Sequence, residues 1–181
     1  MPRIYPVTTD GADKKTTDLL NTVKSKMGMV PNLISTMAQS PAVATAYLGF
    51  SQALSTGALP PSLREQIALT VGETNGCDYC VSAHSALGRG AGLAEESVLA
   101  ARQAKASGAK ENAALVFAKK MVDDRGLVSD NDLSELRDAG FSEGDICEIV
   151  ANVALNIFTN YFNHVAGTDI DFPVAPELAP A

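Results

Sequence analysis

Apolar positions along the chain gather into runs of helical length bounded by Gly or Pro. Nowhere does a run of β-branched residues alternate with polar ones as a sheet face requires. The pattern predicts an all-α protein with helices over 13–27, 32–39, 41–56, 62–74, 77–89, 94–106, 110–124, 129–139 and 143–166. Several starts carry capping signals: Ser62-Leu63-Arg64-Glu65 reads as a capping box, Pro41 follows Ser40, and Ser142-Glu143-Gly144-Asp145 resembles a second box. Stops are expected at Gly28, Gly57, Gly76, Gly108 and Gly140, where a left-handed residue ends a helix without a Cβ penalty. Pro173, Pro176 and Pro180 forbid the last helix from running on, so 167–181 reads as an extended arm, lying on the protein's own surface, on a neighbouring subunit, or disordered at its tip.

At 181 residues the chain makes one folding unit, 1–181, with a real core. An apolar share of 46% against 19% charged is globular and slightly rich in apolar surface, which points to subunit contacts. A net charge of -7, without a cluster of Lys and Arg, speaks against nucleic acid as a partner. No apolar run reaches the length of a bilayer span, and Met1-Pro2-Arg3-Ile4-Tyr5-Pro6 lacks the apolar segment of a signal peptide. A cytoplasmic protein without membrane contact is therefore expected. Three cysteines, two of them three apart, are not a secreted disulfide framework; in a reducing compartment such a pair is catalytic, redox-sensing or metal-binding.

An offset of 80 places Glu65 on Asp145 and His84 on His164, with Cys77 and Cys80 on Ile157 and Asn160. This is either a degenerate helical repeat that keeps its thiols in the first half alone, or the chance recurrence of acids at capping positions.

The chemistry concentrates in Cys77-Asp78-Tyr79-Cys80 and His84. Gly76 separates two helical patterns, so Cys77 falls in the first turn of a helix, where free N–H groups and the helix dipole favour a thiolate. At ~100° per residue Cys80 lies about 60° from Cys77, and His84 falls between them further along. One face thus carries all three, and the step from Cys80 to His84 brings the imidazole within reach of a sulfur, directly or through water. If the chain folds back at Asn75-Gly76, Glu65 lies opposite the region of His84 and can orient and charge it. Acid, imidazole and thiol together form an activated nucleophile, able to attack a peroxide or a disulfide and to be resolved by the second cysteine.

Plainer roles compete for each residue. The cysteines could be inert core residues, Glu65 could do no more than close a capping box with Ser62, and His84 could be an interfacial histidine. Tyr79 points about 200° away from the thiol face and reads as packing. Cys147 reads as a small core residue. Two thiolates and an imidazole are also zinc ligands, with His164 or Cys147 as a fourth, but no recognisable structural spacing supports that set. Haem attachment would want histidine where Val81 stands, and a thioredoxin-like motif would want a βαβ context.

Glu65 followed by Cys77-x-x-Cys80-x-x-x-His84 resembles the signature of the carboxymuconolactone decarboxylase and alkyl hydroperoxidase D superfamily. Gly28-Met29-Val30-Pro31-Asn32 and Leu136-Arg137-Asp138-Ala139-Gly140-Phe141-Ser142 resemble its peroxidase-related branch, so the likeness covers 27–173. The resemblance implies an AhpD-like helical bundle with a repeated unit, homo-oligomers such as trimers or hexamers, and no cofactor. It implies thiol peroxidase or disulfide reductase activity on a hydroperoxide or disulfide substrate, with reduction by a dithiol or lipoyl-bearing protein. By the same resemblance Cys80 becomes the sulfenic acid, Cys77 is its partner and proton donor, and Glu65 with His84 forms the proton relay. Tyr79 stands where peroxidase members can carry a second histidine. Two other functions fit the sequence: a cofactor-free decarboxylase or isomerase of a lactone acid, and a redox-sensing or metal-holding module without turnover.

Overall fold

In a computed structural model, described for residues 1–178, the chain is all-helical. The helices are α1 (Lys14–Met27), α2 (Asn32–Met37), α3 (Pro41–Ser55), α4 (Pro61–Thr74), α5 (Asp78–Gly90), α6 (Glu95–Arg102), α7 (Ala109–Asp123), α8 (Asp130–Asp138) and α9 (Glu143–Ala166). Each agrees with its sequence expectation to within a few residues, and the physical signals can be followed locally. Asp13 caps α1 by accepting from the Thr16 N–H, and Pro41 opens α3 behind Ser40. Ser142 and Asp145 close a reciprocal capping box at α9, as Ser129 and Asp132 do at α8.

Four local expectations fail. Helix α4 begins at Pro61 behind Pro60, because proline is preorganised for the first helical position; Ser62 is thus inside the helix and caps nothing. Glu65 is therefore not the closing member of a capping box. Helix α6 ends at Arg102, short of 106, and the chain turns through Ala104 at φ 55. Gly57 and Gly108 are not left-handed stops: α3 is capped by Thr56, and Gly108, at φ -79, is the N-cap of α7.

Helix α4 is buried along most of its length, with Leu63, Ile67, Ala68, Leu69 and Val71 in the core, and it takes the central place against α5, α6, α7 and α9. On one side a large core joins α4 to α6, α7, α8 and the first half of α9 through Leu69, Val98, Leu115, Leu136 and Ile149. On the other, Leu20, Leu33, Met37 and Ala44 of α1, α2 and α3 pack against Cys77, Tyr79, Cys80 and Ala83. The dithiol segment thus belongs to the second, smaller core.

After Gly167 the described part of the chain runs as an extended arm over its own surface, one of the placements expected. The Asn32 N–H donates to Asp171 Oδ2 at 2.7 Å, the Ala175 N–H to Ser82 Oγ at 3.1 Å, and Arg102 Nη1 to the Pro176 carbonyl at 2.8 Å. Arg102, almost fully buried, also holds Glu73 at 2.7 Å. Residues 179–181 of the predicted arm lie outside the described residues.

The offset of 80 does not carry into space at the residues that suggested it. Glu65 and His84 meet because they stand on two helices joined by a turn, whereas Asp145 and His164 are at opposite ends of the single helix α9. Asp145 is spent on its cap, and His164 faces outward with Nε2 3.3 Å from the Gly76 carbonyl. Cys147 is exposed on α9 and not in the core, because the helix turns Ile146 and Ile149 inward instead. Among the described residues no helix is long and apolar enough to cross a membrane.

Candidate active site

The site is built at the turn from α4 into α5. Asn75 ends α4, and Gly76 adopts φ 65, a left-handed conformation that side chains disfavour, which lets the chain reverse within two residues. The Cys77 N–H donates back to the Gly72 carbonyl at 2.9 Å. Cys77 is the N-cap of α5 rather than a residue of its first turn, and its sulfur accepts from the Cys80 N–H at 3.4 Å. A sulfur in that position meets the positive end of the helix, which stabilises a thiolate. Cys80 follows one turn on, its Cα 5.3 Å from that of Cys77, and the two are joined as a disulfide. Each is only 2% exposed.

Helices α4 and α5 run antiparallel, so Glu65 and His84 face each other with Oε2 2.8 Å from Nδ1. Both side chains are 22% exposed, so water still reaches the pair. A carboxylate at Nδ1 fixes the neutral tautomer with its proton on that nitrogen and leaves Nε2 as the free base. His84 makes no hydrogen bond to either sulfur in this disulfide state. It shares a cavity of about 230 Å³ with Cys80, Glu65 and Tyr47, closed by Leu33 and Phe172. A proton passing between Cys80 and His84 would have to cross that cavity, through water or a bound molecule.

The two cysteines open on different spaces. Cys80 lines the cavity of the Glu65–His84 pair, whereas Cys77 lines a separate cleft beneath the arm, with Glu73, Arg102 and Pro176. Of the two cysteines, Cys80 is the one that borders the cavity holding the Glu65–His84 pair.

Tyr79 does not turn away from the site. It is buried with both cysteines, lines the cavity, accepts from the Leu33 N–H at 3.2 Å and packs edge-on against Phe172 at 5.9 Å. Its role is packing, as expected, but at the cavity wall. Removal from water, helped by the Glu65 charge, pushes the Tyr47 phenol up to about 12; burial pushes Tyr79 up as well. Both hydroxyls thus keep their protons at neutral pH.

Asn163 of α9, which sequence reasoning missed, reaches the dithiol from the other side. Its Nδ2 donates to Cys80 Sγ at 3.2 Å and lies 4.0 Å from Cys77 Sγ, while its Oδ1 is enclosed without a partner. One signal for it does exist: Asn152, Asn156, Asn160 and Asn163 recur at helical spacing among the apolar residues of α9, on the face that is buried. A donor at 3.2 Å holds more strongly to a thiolate than to a disulfide sulfur, so Asn163 favours the reduced, ionised form. Asn163→Leu should move the Cys80 thiolate transition to higher pH, make the dithiol potential more negative, and slow its oxidation roughly tenfold. The melting temperature of the oxidised protein should change little, because the same substitution removes an unpaired buried oxygen. Thiolate absorbance against pH, beside a melting curve, checks both statements. Among the described residues no group of three or more His, Cys, Asp or Glu side chains is placed to hold a metal, and His164 and Cys147 do not join the cysteines.

The sequence profile of the Carboxymuconolactone decarboxylase family matches residues 41–120, the stretch that contains Glu65, Cys77, Cys80 and His84. A crystal structure of an AhpD-core, peroxidase-related protein from Ralstonia eutropha JMP134 superposes with a TM-score of 0.82 at 28% identity, over 94% of this chain and 92% of that one. The family match over 41–120 and the AhpD-like fold together support a place in the carboxymuconolactone decarboxylase and AhpD superfamily. A peroxidase-related protein from Silicibacter sp. TM1040 shares the superfamily fold at a TM-score of 0.80 and 24% identity, over 92% of each chain. So does the debrominase Bmp8, solved as a cysteine-to-alanine variant with 2,3,4-tribromopyrrole, at 0.80 and 24%, over 93% of this chain and 91% of that one. No curated protein sequence matches.

Proposed function

We propose that this AhpD-like protein is a thiol-dependent hydroperoxide reductase, a dithiol–disulfide oxidoreductase in which Cys80 is the attacking sulfur. What supports the reading most is the placing of Cys80, and not Cys77, on the cavity that holds the Glu65–His84 pair. His84 Nε2 takes the Cys80 proton, and Glu65 stabilises the imidazolium. The thiolate attacks the hydroperoxide O–O bond; one oxygen stays as Cys80 sulfenic acid and the other leaves as the alcohol, taking the proton from His84. Cys77 then attacks the sulfenic sulfur, water leaves, and the disulfide closes. An external dithiol, free or lipoyl-borne, returns two electrons and two protons.

The likeness to a debrominase favours a second reading with the same residues. A Cys80 thiolate would take the halogen from a compact haloaromatic, the ring carbon would gain a proton, and Cys77 would expel halide as the disulfide forms. The largely apolar cavity supports it. The two are separated by turnover with dithiothreitol, comparing cumene hydroperoxide with a brominated pyrrole: reductant-dependent loss of the hydroperoxide supports the first, bromide release the second. Turnover of a lactone acid by a Cys77/Cys80 double serine variant would replace both with the decarboxylase reading.

We read the protein as a homo-oligomer of the trimer or hexamer kind. Phe158, Tyr161 and Val165 are exposed along the outer side of α9, apolar surface that subunit contact would cover. A monomer in sedimentation would remove this reading.

A further inference from the structure

The α9 wall of the cavity has a feature that dithiol chemistry does not require. Asn152 and Asn156, one turn apart, both line the cavity and are only 4% and 6% exposed. Each amide nitrogen gives one hydrogen to the preceding turn: Asn152 Nδ2 donates to the Glu148 carbonyl and Asn156 Nδ2 to the Asn152 carbonyl, both at 2.8 Å. That bonding fixes which side of each amide is oxygen. Neither Oδ1 accepts from any described residue, yet neither is enclosed as Asn163 Oδ1 is, so both open on the cavity. Thr159, next on the same face, spends its hydroxyl hydrogen on the Asn156 carbonyl at 3.0 Å. The wall therefore displays two amide oxygens that accept from no described residue.

Such a wall is costly beside a plain hydrocarbon and favourable beside a ligand that donates. Asn156 is two turns, roughly 10 Å, along α9 from Asn163, whose amide touches Cys80 Sγ. We infer that Asn152, Asn156 and Thr159 form a recognition subsite, and that the substrate is a compact, mainly apolar molecule with an N–H or O–H donor about two helical turns from the atom Cys80 attacks. The inference rests on the cavity being the substrate site. Two charged groups share it. Glu65 is engaged by His84, and Arg64 donates through Nη1 to the Leu59 carbonyl at 2.8 Å, so a carboxylate ligand would have to recruit Arg64 instead.

The test uses the oxidised protein, in which Cys77 and Cys80 cannot react, so a failure of the peroxidase reading leaves its outcome intact. Equilibrium dialysis compares 4-phenylbutan-1-ol, butylbenzene and 4-phenylbutanoate. The alcohol should bind about three- to tenfold tighter than the hydrocarbon. Asn152→Leu with Asn156→Leu should erase that margin without weakening the hydrocarbon. Equal binding of alcohol and hydrocarbon to the unaltered protein would overturn the inference, and this comparison needs no variant to fold. Tightest binding of the carboxylate, lost in Arg64→Met, would overturn it too.

Discussion

Replacing Cys80 with Ser should reduce hydroperoxide turnover to the uncatalysed background, whereas Cys77→Ser should react once and then stall as a sulfenic acid. The difference follows from where the sulfurs open. Cys80 shares the cavity with the Glu65–His84 pair, and Cys77 faces the cleft beneath the arm, so Cys77 cannot take over the first attack. It can only resolve the product from one helical turn away. A single-turnover experiment with a sulfenic-acid trap checks both halves: the Cys77→Ser protein should give one equivalent of trapped product, the Cys80→Ser protein none. A burst of equal size from both variants would show that either sulfur meets the peroxide.

Glu65→Gln should lower the rate of dithiol oxidation about a hundredfold, the usual scale for a lost step in acid–base catalysis. The amide is the same size, so the α4–α5 packing is retained. It cannot stabilise the imidazolium, and its NH2 side facing Nδ1 would select the tautomer that takes the free base off Nε2. His84→Gln should cost a similar factor, and the double variant little more, because the two act as one relay. The pH profile of thiol oxidation distinguishes this from damage to the fold. In the variants the imidazole-dependent limb should disappear, leaving a rate that rises only with thiolate formation. An unchanged profile with a uniformly lower rate would make Glu65 and His84 structural.

How much of this was legible in the chain depended on distance along it. Cys77, Cys80 and His84 were readable because they lie within two turns of one helix, where spacing alone fixes the face. Glu65 was readable because Gly76 forces an antiparallel return that brings it to His84. The sequence could not decide between a relay and a cap for Glu65; the Pro60-Pro61 start removes the cap by moving the N-cap away from Ser62, and Glu65 meets His84 instead. For Asn163 the helical spacing of the α9 asparagines was legible but the contact was not, because it spans 86 residues to Cys77 and depends on how α9 is rolled against α5. The same roll puts Cys147 outside and Asn156 inside. Tyr79 was judged from its angle on α5 alone, which cannot show that α2 and the arm fold over it and draw it into the cavity wall. The separation of the two sulfurs into different spaces likewise depends on the arm, whose path no local spacing encodes.

The most direct test of the central claim is an anaerobic thiol titration of the reduced protein before and after one equivalent of an organic hydroperoxide, with mass spectrometry to place any bridge. The account predicts rapid loss of two thiols, a Cys77–Cys80 disulfide, and Cys147 still free. Two unreacted active-site thiols after several minutes would contradict it.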